Sequence, residues 1–218
     1  MNTHSFVPIA EAAFIADLSA REMNRVVDEH ILPDVLVDVN QSRRVAPLGA
    51  AFARFYFNTE RQLAAEFRRF VLQSLASRVA PRGDRESVFS LARLPEDMNW
   101  SVEEANVRID LSSFVLHVFQ RTIKVGQANA MIRENPEVMG GAAVFAGTRV
   151  PIDIVLASID KGVNRKRLDA SYPFLTDEHI EAARTYAAVH RRPGRPRRLA
   201  EANPQLRPQG RRQVRPAA

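Results

Sequence analysis

Apolar residues in the first third of the chain fall at helical spacing, broken by short polar turns. Between Pro8 and Ile15, the positions Ile9, Ala12, Ala13 and Phe14 mark a short helix. Ala16-Asp17-Leu18-Ser19 reads as a tight turn. Ser19 and Glu22 have the S-x-x-E spacing of a capping box, which opens a second helix running to about Glu29. Two short helices across so brief a turn predict a helix-turn-helix. Val35-Leu36-Val37 and Val45-Ala46 then flank Asn40-Gln41-Ser42-Arg43-Arg44, the pattern of a hairpin, or wing, with a basic tip. Pro47 starts a third helix and Asn58 or Thr59 caps a longer one. In that longer helix Leu63, Phe67, Phe70, Val71 and Leu75 keep the 3.6-residue period that buries one face.

Pro81-Arg82-Gly83-Asp84 interrupts the pattern, and a short helix fits through Leu94. Trp100 to Val102 and Val107 to Leu111 read as paired strands, because Val107, Ile109 and Leu111 alternate with Arg108 and Asp110. Ser112 or Ser113 caps a helix running to about Asn135. Ala142 to Phe145 is a short apolar strand. Gly147 follows where a bend or a positive φ is needed, and Pro151 suits the first turn of the next helix. That helix closes at Gly162. Asn164 caps a shorter one with Leu168 as its apolar contact, and Tyr172-Pro173-Phe174-Leu175 breaks the chain. Thr176-Asp177-Glu178 caps a last helix with Ile180, Ala183, Tyr186 and Ala187 on one stripe.

The pattern predicts a mainly α fold: an N-terminal winged helix-turn-helix in residues 1–80, a connecting hairpin and helix in 81–134, and a homeodomain-like three-helix unit with short strands in 135–190. From Arg191 on, Arg and Pro dominate and apolar residues nearly vanish, so 191–218 reads as a disordered Arg/Pro-rich tail.

Charge changes the picture in one respect. The chain has a net charge of +6 and a pI near 10.4, which invites a nucleic-acid partner. Residues 191–218 hold nine Arg against the single acid Glu201, a charge of +8, so residues 1–190 carry −2. A DNA-binding surface on the body must therefore be a local patch. The absence of Cys excludes disulfides, thiolate metal sites and Cys nucleophiles. No apolar run approaches the ~20 residues of a membrane span and no leader pattern opens the chain, so a cytoplasmic location without membrane contact is the expectation.

The candidate DNA-reading residues are Arg21, Asn24 and Arg25 on the exposed face of the second helix, with Arg43 and Arg44 on the wing. Arg can bridge guanine edges or grip phosphate, and Asn can pair with adenine. Glu22, Asp28 and Glu29 place acid beside them. The acids early in the last helix (Asp177, Glu178 and Glu181) suit its dipole, and the 152–190 unit is expected to make protein contacts or a dimer. Gly140-Gly141 lacks the Lys-Ser/Thr of a phosphate loop. His4, His30, His117, His179 and His190 show neither metal-ligand spacing nor a nucleophile partner. No catalytic residue, metal site or cofactor is expected.

The run NPEVMGGAAVFAGTRVP, Asn135 to Pro151, is the most specific stretch. Together with Gly162, Tyr172-Pro173-Phe174-Leu175-Thr176, Ala183 and Tyr186-Ala187, it resembles an antitoxin domain found beside PIN-like toxin genes and long labelled a domain of unknown function. Ala142-Ala143 and Ile152-Asp153 depart from the residues common there. With a winged helix-turn-helix before it and an Arg-rich tail after it, the layout is similar to the longer VapB-type antitoxins. The resemblance implies binding and inhibition of a PIN-domain, VapC-like ribonuclease that holds Mg²⁺ or Mn²⁺ with clustered acids. It also implies repression of the operon through operator DNA, with a homodimer and a toxin–antitoxin hetero-oligomer as the assemblies. Arg195, Arg197 and Arg198 are then expected to meet the toxin's acids, with Arg191 and Arg192 as docking charges. Gly147, Thr148, Arg149 and Pro151 are expected to be structural. Two alternatives stay open: a stand-alone MerR-like winged-helix regulator, and a non-specific nucleic-acid binder that uses the Arg tail as a phosphate grip.

Overall fold

A computed structural model describes residues 6–190, which fold into a mainly α-helical protein with short antiparallel strands. The expected mainly α class is observed. Strand β1 (Val7–Pro8) leads into α1 (Ile9–Ala16) and α2 (Ala20–Asp28). A single 3-10 turn, Asp34–Leu36, precedes β2 (Val37–Asp38) and β3 (Arg44–Val45). The hairpin forms as expected, with Val37 opposite Val45. Unanticipated is β1, which adds to its other edge by pairing Val7 with Val45 and gives the sheet order β1-β3-β2.

Helix α3 (Pro47–Asn58) follows with Pro47 in its first turn. It packs so closely on the hairpin that a Cβ on Gly49 would stand 2.9 Å from Val45 Cγ1 and 3.2 Å from Leu36 Cβ. Helix α4 is Ala65–Val79, later than the Asn58 or Thr59 start that the sequence predicts. Thr59 instead closes α3, its hydroxyl donating to the Phe55 carbonyl at 2.8 Å. The buried face of α4 is Arg68, Val71, Leu72, Leu75, Ala76 and Val79, while Phe70 is exposed and stacks on Phe67. Arg68 is held inside by the Tyr56 carbonyl, which accepts from its Nη1, and by the Tyr56 ring 4.0 Å from its guanidinium carbon.

Helix α5 (Arg85–Phe89) stops short of Leu94, and β4 (Ser101–Glu104) pairs with β5 (Val107–Asp110) as expected. Helix α6 (Ser112–Met131) is capped by neither serine and ends before Asn135, because β6 (Ile132–Glu134) turns extended to pair with β7 (Ala143–Phe145). Helices α7 (Ile152–Asp160), α8 (Arg165–Ser171) and α9 (Asp177–Val189) complete the described chain. Asn164 caps α8 by accepting from the Arg167 N–H, and Thr176 caps α9 with His179 in a reciprocal box.

Two apolar cores result. The first runs from Ala12 through Val125 and includes Val189, so Val88, Trp100 and Leu111 pack with the helix-turn-helix. The second joins Ala128 and Ile132 to Phe145, Val155, Leu168 and Tyr186. Helix α6 runs through both, packing on α1, α3 and α9. Among the described residues, no helix is long and apolar enough to cross a membrane.

Candidate nucleic-acid interface

The turn between α1 and α2 is built by local chemistry. Asp17 takes the left-handed conformation at φ 55°, and the Leu18 N–H donates to the Ala13 carbonyl at 3.0 Å. Ser19 then caps α2. Its Oγ accepts from the Glu22 N–H at 3.1 Å, and Glu22 Oε2 accepts from the Ser19 N–H at 2.7 Å. Met23, Val26 and Val27 are buried, which fixes the roll of α2 and turns Arg21, Asn24, Arg25 and Asp28 outward along one stripe.

Three arginines from elsewhere lock this motif in place. Arg121 of α6 donates Nε (3.0 Å) and Nη2 (2.6 Å) to the Phe14 carbonyl and lies 4.3 Å over the Phe14 ring. Arg54 of α3 donates Nη1 to the Ala16 carbonyl at 2.7 Å and pairs with Asp17. Both cations meet carbonyls of the last turn of α1, where the helix leaves acceptors unpaired and its dipole is negative. Burial lowers the Arg121 guanidinium from its ordinary value, with Arg54 adding to the effect and Asp17 opposing it. The nearby His117 imidazole is also lowered, first by burial and then by Arg54 and Arg121, and its Nε2 is buried without a partner among the described residues. The third arginine is Arg44, which donates Nε and Nη2 to the Phe6 carbonyl at 3.1 and 2.6 Å.

The sequence-predicted DNA residues therefore separate. Arg21 is exposed, with no hydrogen bond or ion pair among the described residues. Asn24 folds its amide back to the Ala20 carbonyl at 2.8 Å and accepts from Arg43 at 3.1 Å. Arg43 reaches across from the hairpin to Asp28 at 2.8 Å, and Arg25 pairs with Glu29 at 2.7 Å. Arg21, Glu22, Asn24, Arg25, Asp28 and Glu29 line one shallow concavity. Arg44 stands apart, because its guanidinium is engaged with Phe6 inside the β1–β3 edge. The patch holds three cations and three acids. Arg54 and Arg121 are its positioning residues, and the sequence pattern did not single out either one.

In the second unit the Gly147–Pro151 run is a turn organised by Thr148. Its hydroxyl donates to the Phe145 carbonyl at 2.9 Å and accepts from the Val150 N–H at 3.1 Å. Gly147 has φ 76°, a region that favours Gly, and Pro151 bridges to Val144 before α7 begins. Arg149 is exposed and makes no hydrogen bond or ion pair among the described residues. A concavity of about 390 Å³ between α6 and α9 is lined by Lys124, Gln127, Met131, Asp177, Glu178 and Glu181 among others, with Lys124 and Glu181 paired at 3.2 Å. Among the described residues no group of three or more His, Cys, Asp or Glu is placed to hold a metal ion. Arg191, Arg192, Arg195, Arg197 and Arg198 lie outside the described residues.

These features define a helix-turn-helix and hairpin protein with a second helical unit built around a strand–turn–helix. Residues 132–187 match the family described as "Protein of unknown function (DUF433)". Over 188 residues the chain is 35% identical to the uncharacterized protein y4eO of Sinorhizobium fredii (strain NBRC 101917 / NGR234), covering 86% of this chain and 83% of that protein. The chain belongs to the family that y4eO represents. Among solved structures, the crystal structure of Rv2018 from Mycobacterium tuberculosis is similar at 17% identity and a TM-score of 0.35, over 81% of this chain and 96% of that one. So loose an overlay carries no argument.

Proposed function

We propose that this protein is a cytoplasmic DNA-binding antitoxin, one that represses its own operon and neutralises a PIN-type ribonuclease partner. The observation that carries the DNA half is the outward stripe of α2. There Arg21 is unpaired among the described residues, with Asn24, Arg25 and the hairpin's Arg43 beside it, and the helix is held by its capping box and by Arg54 and Arg121. Duplex DNA would be met by Arg21 first, with Arg25 and Arg43 exchanging Glu29 and Asp28 for phosphate. Both pairs are about half exposed, the class of ion pair that contributes least to stability. Asn24 is the group suited to an adenine edge. Because acids equal cations on this patch, its affinity must come from a few contacts and fall modestly with salt. The toxin half rests on the GTRVP-containing run and on the Arg-rich composition of residues 191–218.

The test is co-expression of the full chain with the product of the adjacent gene, plus band-shift titration on the operon's promoter. The reading expects co-purification and growth rescue, together with promoter binding that Arg21→Ala and Asn24→Ala each weaken by about fivefold or more. Deletion of 191–218 should abolish rescue while leaving promoter preference. Promoter binding that is lost only with the tail, without sequence preference, would instead fit a non-specific phosphate grip. Rescue that persists without the tail would move inhibition into the folded body.

A further inference from the structure

Arg149 is the one side chain of the Gly147–Pro151 turn with no structural partner among the described residues. Strand register places it. Val144 pairs with Arg133 on β6 and bridges to Pro151 on its other side. Paired residues share a face, so Arg133, Val144 and Pro151 form a row on one side of this small sheet. Ile132, Ala143 and Phe145 point the other way into the second core, and Val150 packs on that core too, which leaves Arg149 on the side of Pro151. Val144 is 4% exposed yet belongs to neither core, so the row has an apolar middle. Arg133 is exposed and, like Arg149, has no hydrogen bond or ion pair among the described residues. The next residue, Glu134, instead hydrogen-bonds the Tyr186 side chain on the core side. The large apolar side chains exposed between residues 132 and 190 are Met139 and Ile154, at 56% and 49%. Met139 lies four residues before β7 and Ile154 one helical turn after Pro151, so both border the same sheet.

We propose that this face, with Arg133 and Arg149 as its cations and Ile154 beside them, docks a protein partner through carboxylates that flank an apolar side chain. Adjacent strands lie about 4.8 Å apart, so Arg133 stands about 10 Å across the sheet from Pro151, with Arg149 two residues further along. Two arginine forks at that separation suit two carboxylates on one segment, each taken by bidentate, charge-assisted bonds. Arginine is among the residues that carry interface energy, and exposed Ile154 supplies the apolar contact beside it.

A nucleic-acid backbone fits this face poorly. Residues 132–190 hold seven Lys or Arg against eight Asp or Glu, so no basic field surrounds the two arginines. Phosphate also has no use for exposed Met139 and Ile154, which an interface with a protein would cover. The inference rests on the reading that the chain has a protein partner. To that reading it adds a docking face on the folded body, apart from the Arg-rich residues 191–218.

Two probes test this on the full chain. The first is a peptide of alternating Asp and Leu, with its Asn–Leu counterpart as control. Because the chain has no Cys, a fluorophore on Ala146→Cys, an exposed position in the turn, reports binding at this face and not at residues 191–218. The second probe is the product of the adjacent gene, by co-purification. Arg133→Ala and Arg149→Ala should each weaken a bound probe by about fivefold or more, and Arg149→Lys, with charge but no fork, by less. Ile154→Ser should weaken it with an unchanged circular-dichroism spectrum, because the position is exposed. Lys166→Ala, at an exposed cation of α8 without an ion pair among the described residues, should have no effect. If the peptide responds in this way and the gene product never binds, the antitoxin reading falls and the docking face stands. If the product binds and ignores both arginine substitutions, the face falls and that reading stands. Neither probe bound, an equal response to the Asn–Leu peptide, or a loss confined to affinity for duplex DNA also overturns the proposal.

Discussion

Replacing Arg121 by Met isolates the contact that ties the helix-turn-helix to the central helix. The wild-type guanidinium donates twice to the Phe14 carbonyl, at 3.0 and 2.6 Å, and covers the Phe14 ring at 4.3 Å. A hydrogen bond from a charged donor contributes about 1.5–3 kcal/mol, and because both donors share one acceptor it is counted once. The ring contact adds about 0.5–1 kcal/mol. Burial acts the other way, since it disfavours the cation, and Met preserves the packing of the aliphatic stem. The net expectation is a loss of about 2 kcal/mol, or about 4–8 °C in Tm for a chain of this size. Trp100 is the sole tryptophan and lies in the same core, so urea unfolding followed by its fluorescence reads the affected unit directly. Arg121→Lys, with charge but no fork, should fall between the two. A loss under about 0.5 kcal/mol for Arg121→Met would place it among ordinary surface substitutions and refute the claim that this arginine positions α1.

Gly49→Ala should destabilise the protein even though it improves helix propensity by about 1 kcal/mol. The added methyl meets buried Val45 and Leu36, and overpacking typically costs about 1–3 kcal/mol, so a net loss in the urea midpoint is expected and a gain would contradict the close approach. Thr148→Val keeps the volume of the Gly147–Pro151 turn but removes both hydroxyl bonds. A loss of about 1–2 kcal/mol in thermal unfolding is expected, and none if the turn is held by backbone alone. His117 gives a pH signature. Its folded pKa lies below the ordinary value of about 6.5, so the unfolded chain takes up the proton first. Stability is therefore complete above about pH 6.5 and declines as pH falls from there toward the folded value. His117→Gln should flatten that stretch when urea midpoints of variant and wild type are subtracted. The subtraction also cancels Glu11, whose burial raises its pKa and shifts stability in the opposite sense. Parallel wild-type and variant curves would show that His117 does not titrate differently on folding.

What could be read from the sequence was set by how local its cause is. The Ser19–Glu22 capping box, the Thr176 and Asn164 caps and the positive φ at Gly147 involve residues within three positions of each other, and all were legible. The two-residue strand β1 was not, because its only reason to exist is Arg44–Val45, far along the chain and joined to it by backbone pairing and by Arg44's grip on the Phe6 carbonyl. The same cause removed Arg44 from the expected basic tip. In helix α4 the stripe of Phe67, Val71 and Leu75 does face the core, with Leu63 packed on it from just before the helix, and only Phe70 and the early start depart from the pattern. Helix α6 was extended too far because Ile132 continues its apolar period, and only pairing with Phe145 makes it strand.

The most conspicuous motif and the candidate interface divide the work in a way that periodicity alone conceals. The Gly147–Pro151 run is specific because its positions serve the backbone, through a positive φ, a hydroxyl that bonds both sides of the turn, and a proline that ends the β-bridge. Only the Arg149 side chain is left without such a role. On the outward stripe of α2 the reverse holds. Arg21 has no hydrogen bond or ion pair among the described residues, and the ion pairs of Arg25 and Arg43 are about half exposed, where such contacts are weak. The arginines that hold the stripe in place, Arg54 on α3 and Arg121 on α6, face carbonyls at the end of α1. A side chain free of structural duty on a rigid, exposed helix is where recognition can be selected without cost to stability. By that criterion Arg21 is the first residue to mutate for DNA binding. Arg44 and Arg121, both engaged with backbone carbonyls, should instead report on folding.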